Sequence, residues 1–202
     1  MPQPELGAQL RSLRDRSGYT RADVAAATGL SASFLALVES GKSDISISRL
    51  IKLTELFDVG LADLLPARRS SSPEIIRKGD HRELFSEAEK MTLRLLTNQD
   101  MERPLQPIIS TIAPGGASLE WLQHTTDVFL YVLAGELTLS IDGQKTTIVR
   151  EGDSVYLEAG SRRSYRNDAD VSVSWLGIVA HPAQTGRAGD PLAARRPVVT
   201  GA

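Results

Sequence analysis

The chain has no cysteine, only three histidines, and aromatic side chains at just 5% of its 202 residues. Without cysteine there is no disulfide framework, no thiolate nucleophile and no cysteine-ligated zinc, so any metal would depend on His81, His124, His181 and carboxylates. No apolar run approaches the ~18 residues of a membrane span. Glu5, Arg11 and Arg14 stand where a secretory leader would be apolar, so a cytoplasmic protein with no membrane partner is expected. Charge of one sign is also missing. The net value of -2 supplies no bulk attraction for nucleic acid, and any such partner must be argued from a local face. What is present, 41% hydrophobic and 24% charged residues, is enough to bury real cores. The length fits one large domain or two small ones and excludes a repeat array or a large multidomain enzyme.

The hydrophobic period changes along the chain. Up to residue 66 it is helical. Leu6, Leu10 and Leu13 recur at helix spacing, and Ser17-Gly18 breaks the run. Thr20 and Asp23 form a capping-box pattern that opens a second helix, which ends at Gly29. Ser31 caps a third that runs to about Ser40 and buries Leu35 and Val38. Ile47, Leu50, Leu53 and Phe57 give a fourth its apolar face, and Leu61, Leu64 and Leu65 suggest a brief fifth before Pro66. Residues 67–73 are small, polar and punctuated, as a linker is. From 74 to 182 short runs of β-branched residues alternate with turn signals, the pattern of a sandwich or small barrel. Leu137–Ile141, Asp142-Gly143 and Lys145–Val149 predict a hairpin with a type I′ turn. Further strands are expected at Ser154–Glu158 and Val171–Val179, and residues 183–202 are expected to be a mobile tail.

Helix, glycine-centred turn and helix between Thr20 and Lys42 have the length of a helix-turn-helix, which projects the start of its second helix toward a major groove. The stretch from Thr20 to Ser31, followed by Phe34-Leu35, Glu39-Ser-Gly-Lys42 and Leu50 through Leu65, resembles the lambda-repressor-like, xenobiotic-response-element (XRE) family of DNA-binding domains over about residues 5–66. The resemblance implies a five-helix domain whose recognition helix is 32–40. Ser31, Ala32, Ser33, Phe34 and Leu37 would then face DNA, with Arg21 at a position the family uses for base contact and Lys42, Ser43 and Arg49 near phosphates. This reading face has no Asn or Gln, so bidentate base contacts fall to Arg21, while Ala32 and Phe34 suit thymine methyls. Residues 1–66 hold seven basic and eight acidic side chains. Weak single-head binding therefore favours a homodimer on an approximately palindromic operator of double-stranded DNA.

Gly116, His124, Gly135-Glu-Leu-Thr-Leu, Gly152-Asp and Gly160 resemble the two motifs of the cupin family, a double-stranded β-helix or jelly-roll barrel that often holds a metal on three histidines and a glutamate. In that register the ligand positions carry Leu122, His124, Val128 and Arg163, while Asn167 agrees with the family. Leu and Val donate no lone pair and Arg repels a cation, so neither a metal nor another cofactor is expected. Asp127 would face away from the interior if Val128 faces it. Leu122, Val128, Leu130 and Val132 read as core, and the family directs His124 and Arg163 inward. Either Arg163 pairs with an acid such as Glu120 or Asp127, or it joins His124, Trp121, Tyr131, Tyr165 and Trp175 around a small organic effector bearing a carboxylate or carbonyl.

The combination resembles two-domain transcription regulators in which an all-β cupin domain senses a ligand and dimerises. A cupin enzyme with a DNA-binding tether lacks its metal ligands, and no nucleophile–base arrangement replaces them. A helix-turn-helix adaptor with a purely structural barrel is the other alternative.

Overall fold

The computed structural model describes residues 4–64, 75–97 and 104–180. The expected linker at 67–73 and tail at 183–202 lie outside the described residues. Four helices come first: α1 (Pro4–Arg16), α2 (Arg21–Thr28), α3 (Ala32–Glu39) and α4 (Ile47–Phe57). Their starts follow from side-chain caps. Thr20 and Asp23 form the reciprocal capping box, Ser31 Oγ accepts from the Phe34 N–H, and Ser46 Oγ accepts from the Arg49 N–H. Gly29, at φ 75°, ends α2 in the left-handed region, and α2 and α3 then meet at 116°. The expected fifth helix is only a four-residue 3-10 turn, Leu61–Leu64, too short for an α-helical ladder. Leu6, Leu10, Val24, Leu35, Val38, Leu50 and Leu53 form the helical core. Among the described residues no single helix is long and apolar enough to cross a membrane.

Two sheets follow. The first has six strands, in the order β1 (Arg82–Ser86), β2 (Met91–Leu95), β3 (Leu105–Ile112), β10 (Val173–Ala180), β5 (Val128–Ala134) and β8 (Ser154–Leu157). The second has four, β4 (Leu122–Gln123), β9 (Arg162–Arg166), β6 (Glu136–Ile141) and β7 (Thr147–Arg150), and every pairing is antiparallel. No strand pairing joins the two sheets among the described residues, so the cupin-like domain is an open two-sheet structure and not the closed barrel expected. The edges taper before they meet: β4 contributes two residues, and β7 pairs only with β6. The β6–β7 hairpin also differs from expectation. Its strands are joined by five residues, with Gln144 N–H donating to the Ile141 carbonyl. Gly143 has φ 74° but Asp142 is not at positive φ, which a type I′ turn requires.

Alternation settles which side chains look inward. Val128, Leu130 and Val132 on β5 are buried while Phe129, Tyr131 and Leu133 are exposed. Gln106, Ile108, Ser110 and Ile112 do the same on β3, and Val173, Trp175 and Gly177 on β10.

The two domains meet along α4. Glu89, from the turn between β1 and β2, has no exposed surface, and its carboxyl group accepts from the N–H groups of Ile47 (2.7 Å), Ser48 (3.3 Å) and Leu119 (3.0 Å). With Ser46 holding the Arg49 N–H, the first three N–H groups of α4 all have partners, two of them supplied by the other domain. Glu89→Ala leaves two buried donors, the Ile47 and Ser48 N–H groups, and the part-buried Leu119 N–H unpaired and costs about 3 kcal/mol or more. Calorimetry should show the wild type unfolding with its domains coupled and the variant in two separated transitions, the helical one first. An unchanged thermogram would contradict this account of the junction.

Candidate DNA-reading face and interdomain cavity

The helix-turn-helix is braced from behind. Glu39, at the end of α3, takes both Nε (2.7 Å) and Nη2 (3.2 Å) of Arg14 on α1 and Nε of Arg21 (2.9 Å) at the start of α2, while Arg14 Nη1 donates to the Tyr19 carbonyl (2.9 Å). Burial alone would push the Glu39 carboxyl upward, but the two guanidinium groups outweigh it and hold the group below its usual range. The bond from Glu39 in turn raises Arg14. One carboxylate thus fixes α3 against both preceding helices. At Gly7 the α1 backbone comes so close to the Val38 carbonyl that a side chain would collide with it.

Held this way, α3 exposes Ser31, Ala32, Ser33 and Leu37, with the Ser31 and Ser33 hydroxyls 3.1 Å apart. Phe34 is half-buried beneath the Arg49 guanidinium, 5.1 Å from its ring centroid. Lys42 is exposed and Ser43 half-buried in the loop after α3. Arg21 is 40% exposed despite its bond to Glu39. Arg49 faces Glu120 of the β domain at 3.6 Å, and Lys52 donates to the same carboxylate at 2.9 Å. Lys52 is the main reason the Glu120 carboxyl lies below its usual range.

The second feature is a cavity of about 690 Å3, counted to its open mouth, between the sheets and α4. Leu93, Ile108, Val128 and Gly177 line it from the first sheet, and Leu122 and Tyr165 from the second. Ile51, Thr54 and Glu55 of α4, with Val59 and Leu61 beyond it, complete the wall. The walls are mainly apolar, broken by Thr54, Glu55, Gln106, Ser110, His124 and Tyr165.

Of the six residues expected around an effector, His124, Tyr165 and Trp175 line this cavity, the last two with ring centroids 5.3 Å apart. Arg163 is fully buried one layer behind. Its Nε donates to the Tyr165 hydroxyl (2.8 Å) and Nη1 to the Ser161 carbonyl (3.0 Å), while Nη2 has no partner. Neither proposed acid reaches it: Glu120 is engaged by Lys52, and Asp127 accepts from the Tyr156 hydroxyl and the Ala159 N–H. Trp121 and Tyr131 are not cavity residues. Tyr131 points outward because β5 alternates, and Trp121 is exposed under the Arg162 guanidinium. The residues missed are those supplied by α4, Glu55 above all. A divalent ion does not fit the family's ligand positions, because Leu122, Val128 and a buried guanidinium surround the single imidazole.

Two of the lining residues, Glu55 and His124, are paired with each other. His124 Nδ1 lies 2.6 Å from Oε1, while the Thr125 N–H (3.1 Å) and hydroxyl (3.0 Å) both donate to Oε2. Burial raises the Glu55 carboxyl, but these partners together prevail and leave it below its usual range.

Comparison with known proteins agrees with both halves. Residues 5–67 match a helix-turn-helix domain and residues 108–179 a cupin domain. The HTH-type transcriptional regulator PuuR of Escherichia coli (strain K12) is 28% identical over 163 residues, covering 80% of this chain and 86% of that protein. SutR, another HTH-type transcriptional regulator of that strain, is 24% identical over 179 residues, covering 88% and 95%. An HTH_3 family transcriptional regulator from Vibrio cholerae shares the fold, with a TM-score of 0.69 at 18% identity over 89% of this chain and 96% of that one.

The lowered carboxyls carry a pH dependence of definite sign. Such a group contributes stability that is complete above its unfolded value, near ~4.3, and is lost as pH falls through its depressed folded value. Acidification below about pH 4.5 should therefore loosen α4 from the β domain through Glu55 and loosen α3 through Glu39. Melting temperatures followed from neutral to acidic pH should fall less steeply for Glu55→Gln than for the wild type. Superimposable slopes would rule out a contribution from Glu55.

Proposed function

We propose that this chain, which carries a helix-turn-helix domain and a cupin domain and is similar to HTH-type transcriptional regulators, reads a major groove with α3 while its β domain pairs two copies and binds a small organic effector. The observation that carries this reading is the placement of α4. It is a core helix of the DNA-binding domain and at the same time a wall of the cavity, so whatever occupies the cavity touches the reader without an intermediary. A ligand that prefers one arrangement of α4 shifts operator affinity by its difference in affinity for the two arrangements, typically ~1–3 kcal/mol. The relatives are named as transcriptional regulators, which favours this function over an enzyme or an adaptor, and a cytoplasmic protein fits the proposed binding to DNA.

In the proposed complex Ser31, Ala32, Ser33, Phe34 and Leu37 meet base edges, Arg21 supplies the bidentate contact, and Lys42, Ser43 and Arg49 approach phosphates. Arg21 leaves Glu39 only in part, since Arg14 retains that carboxylate. The effector lies against His124, Tyr165 and Trp175, with Arg163 behind.

Dimerisation is assigned to the outer face of the six-stranded sheet. Phe129, Tyr131, Leu133 and Tyr156 are 37–64% exposed there, beside half-buried Ile109, Leu176 and Ile178. The outward positions of β3, β5 and β10 carry no charge, which suits a second copy related by a two-fold axis and not a duplex.

An unbiased selection of bound DNA fragments should return two similar half-sites about 34 Å apart. On that site Arg21→Ala should cost about 1–3 kcal/mol, and Lys42→Ala should lower the salt slope by about one. Binding without sequence preference at any salt would favour the adaptor. Separately, Tyr131→Glu with Leu133→Glu should give monomers by light scattering and weaken operator binding by at least about tenfold. A dimer of unchanged stability would move the interface elsewhere.

A further inference from the structure

In the cavity wall the β domain forms a carboxylate receptor that the protein fills with its own side chain. His124 Nδ1, the Thr125 N–H and the Thr125 hydroxyl grip both oxygens of a carboxylate, and all three come from the β domain. Their present guest, Glu55, belongs to α4. The same cavity is lined by the apolar side chains of Ile51, Val59, Leu93, Ile108, Leu122 and Val128. A second, independent feature favours an anion. Arg163 carries a positive charge with no acidic partner among the described residues; its Nη2 is unsatisfied, and its Nε donates to the hydroxyl of Tyr165, a cavity-lining residue.

Resting on the effector reading above, we propose that the effector is a small monocarboxylic acid with an apolar tail, and that its carboxylate takes the place of the Glu55 carboxylate on His124 and Thr125. The tail fills the apolar interior and the head displaces Glu55, so binding of the acid and docking of the C-terminal half of α4 exclude one another. Glu89 still holds the other end of α4 through Ile47 and Ser48, so displacement tilts the helix about a fixed end and does not free it. A cationic ligand would add a second positive charge near the unpaired guanidinium of Arg163, and a neutral one would lack the charge that makes hydrogen bonds to such a recess strong.

The test uses the full-length chain and hexanoate as probe, with hexanol and hexylamine as tail-matched controls. Glu55 acts as a tethered competitor, so Glu55→Ala should bind hexanoate at least about tenfold more tightly than the wild type by calorimetry. Glu55→Gln, which keeps one acceptor oxygen, should fall between them and serves in its place if the alanine variant does not fold. Adding His124→Leu to either variant should abolish the gain, and neither hexanol nor hexylamine should show it. The chain has no native cysteine, so spin labels on Cys introduced at Arg16 and Lys145 report the domain arrangement, and hexanoate should broaden their distance distribution. Equal hexanoate affinity in wild type and Glu55 variants, binding in none of them, or stronger binding of hexylamine would overturn the proposal. Hexylamine or hexanol binding would leave effector sensing standing with a different ligand class, and DNA selection tests the regulator reading independently.

Discussion

A buried acid on one domain supplies what the first turn of a helix on the other domain lacks. The Ile47 and Ser48 N–H groups cannot be satisfied within α4, and Glu89 reaches them from the β1–β2 turn while also holding the Leu119 N–H. Every later relation between the halves is built on this junction. It sets α4 down on the second domain, so that Lys52 meets Glu120, Glu55 meets His124, and Ile51 becomes cavity wall. The two domains therefore share an element, since α4 is both a core helix of the first and a wall of the cavity in the second.

The reader itself depends on a similar economy. Glu39 binds guanidinium groups from two other helices, and because it ends α3, the orientation of the groove-facing helix is fixed from its far end. The N-terminal face of α3 carries only the small side chains of Ser31, Ala32 and Ser33. Such a face discriminates bases weakly by itself, which agrees with the proposed dimer. Phe34 contributes to both tasks, since it packs on the helical core and carries Arg49 above its ring.

Much of this was legible in the chain because it rests on local chemistry. Thr20, Ser31 and Gly29 specify helix ends by short-range hydrogen bonding and backbone freedom, and all three act as their types predict. Inward positions such as Leu122, His124, Val128 and Tyr165 followed from strand period and family register. Errors arose where local preference met tertiary geometry. Tyr131 and Trp121 were counted inward for their chemistry although alternation turns the first out and exposure removes the second. Asp142-Gly143 matched a two-residue turn, but the strands separate over five residues. Glu55 and Glu89 could not be found, since their partners lie 69 and 42 positions away. One clue was available: Ile51 and Thr54 extend the apolar stripe of α4 beyond what a single core would cover, and both are buried.

The Glu120 carboxylate, placed against Arg49 and Lys52, has a consequence for life on a chromosome. Side chains held by an internal acid release no counterions from a random stretch of duplex, so the docked form clings less to the vast excess of irrelevant sequence. A regulator of this kind then loses less of itself to that background and keeps a larger free pool for its operator.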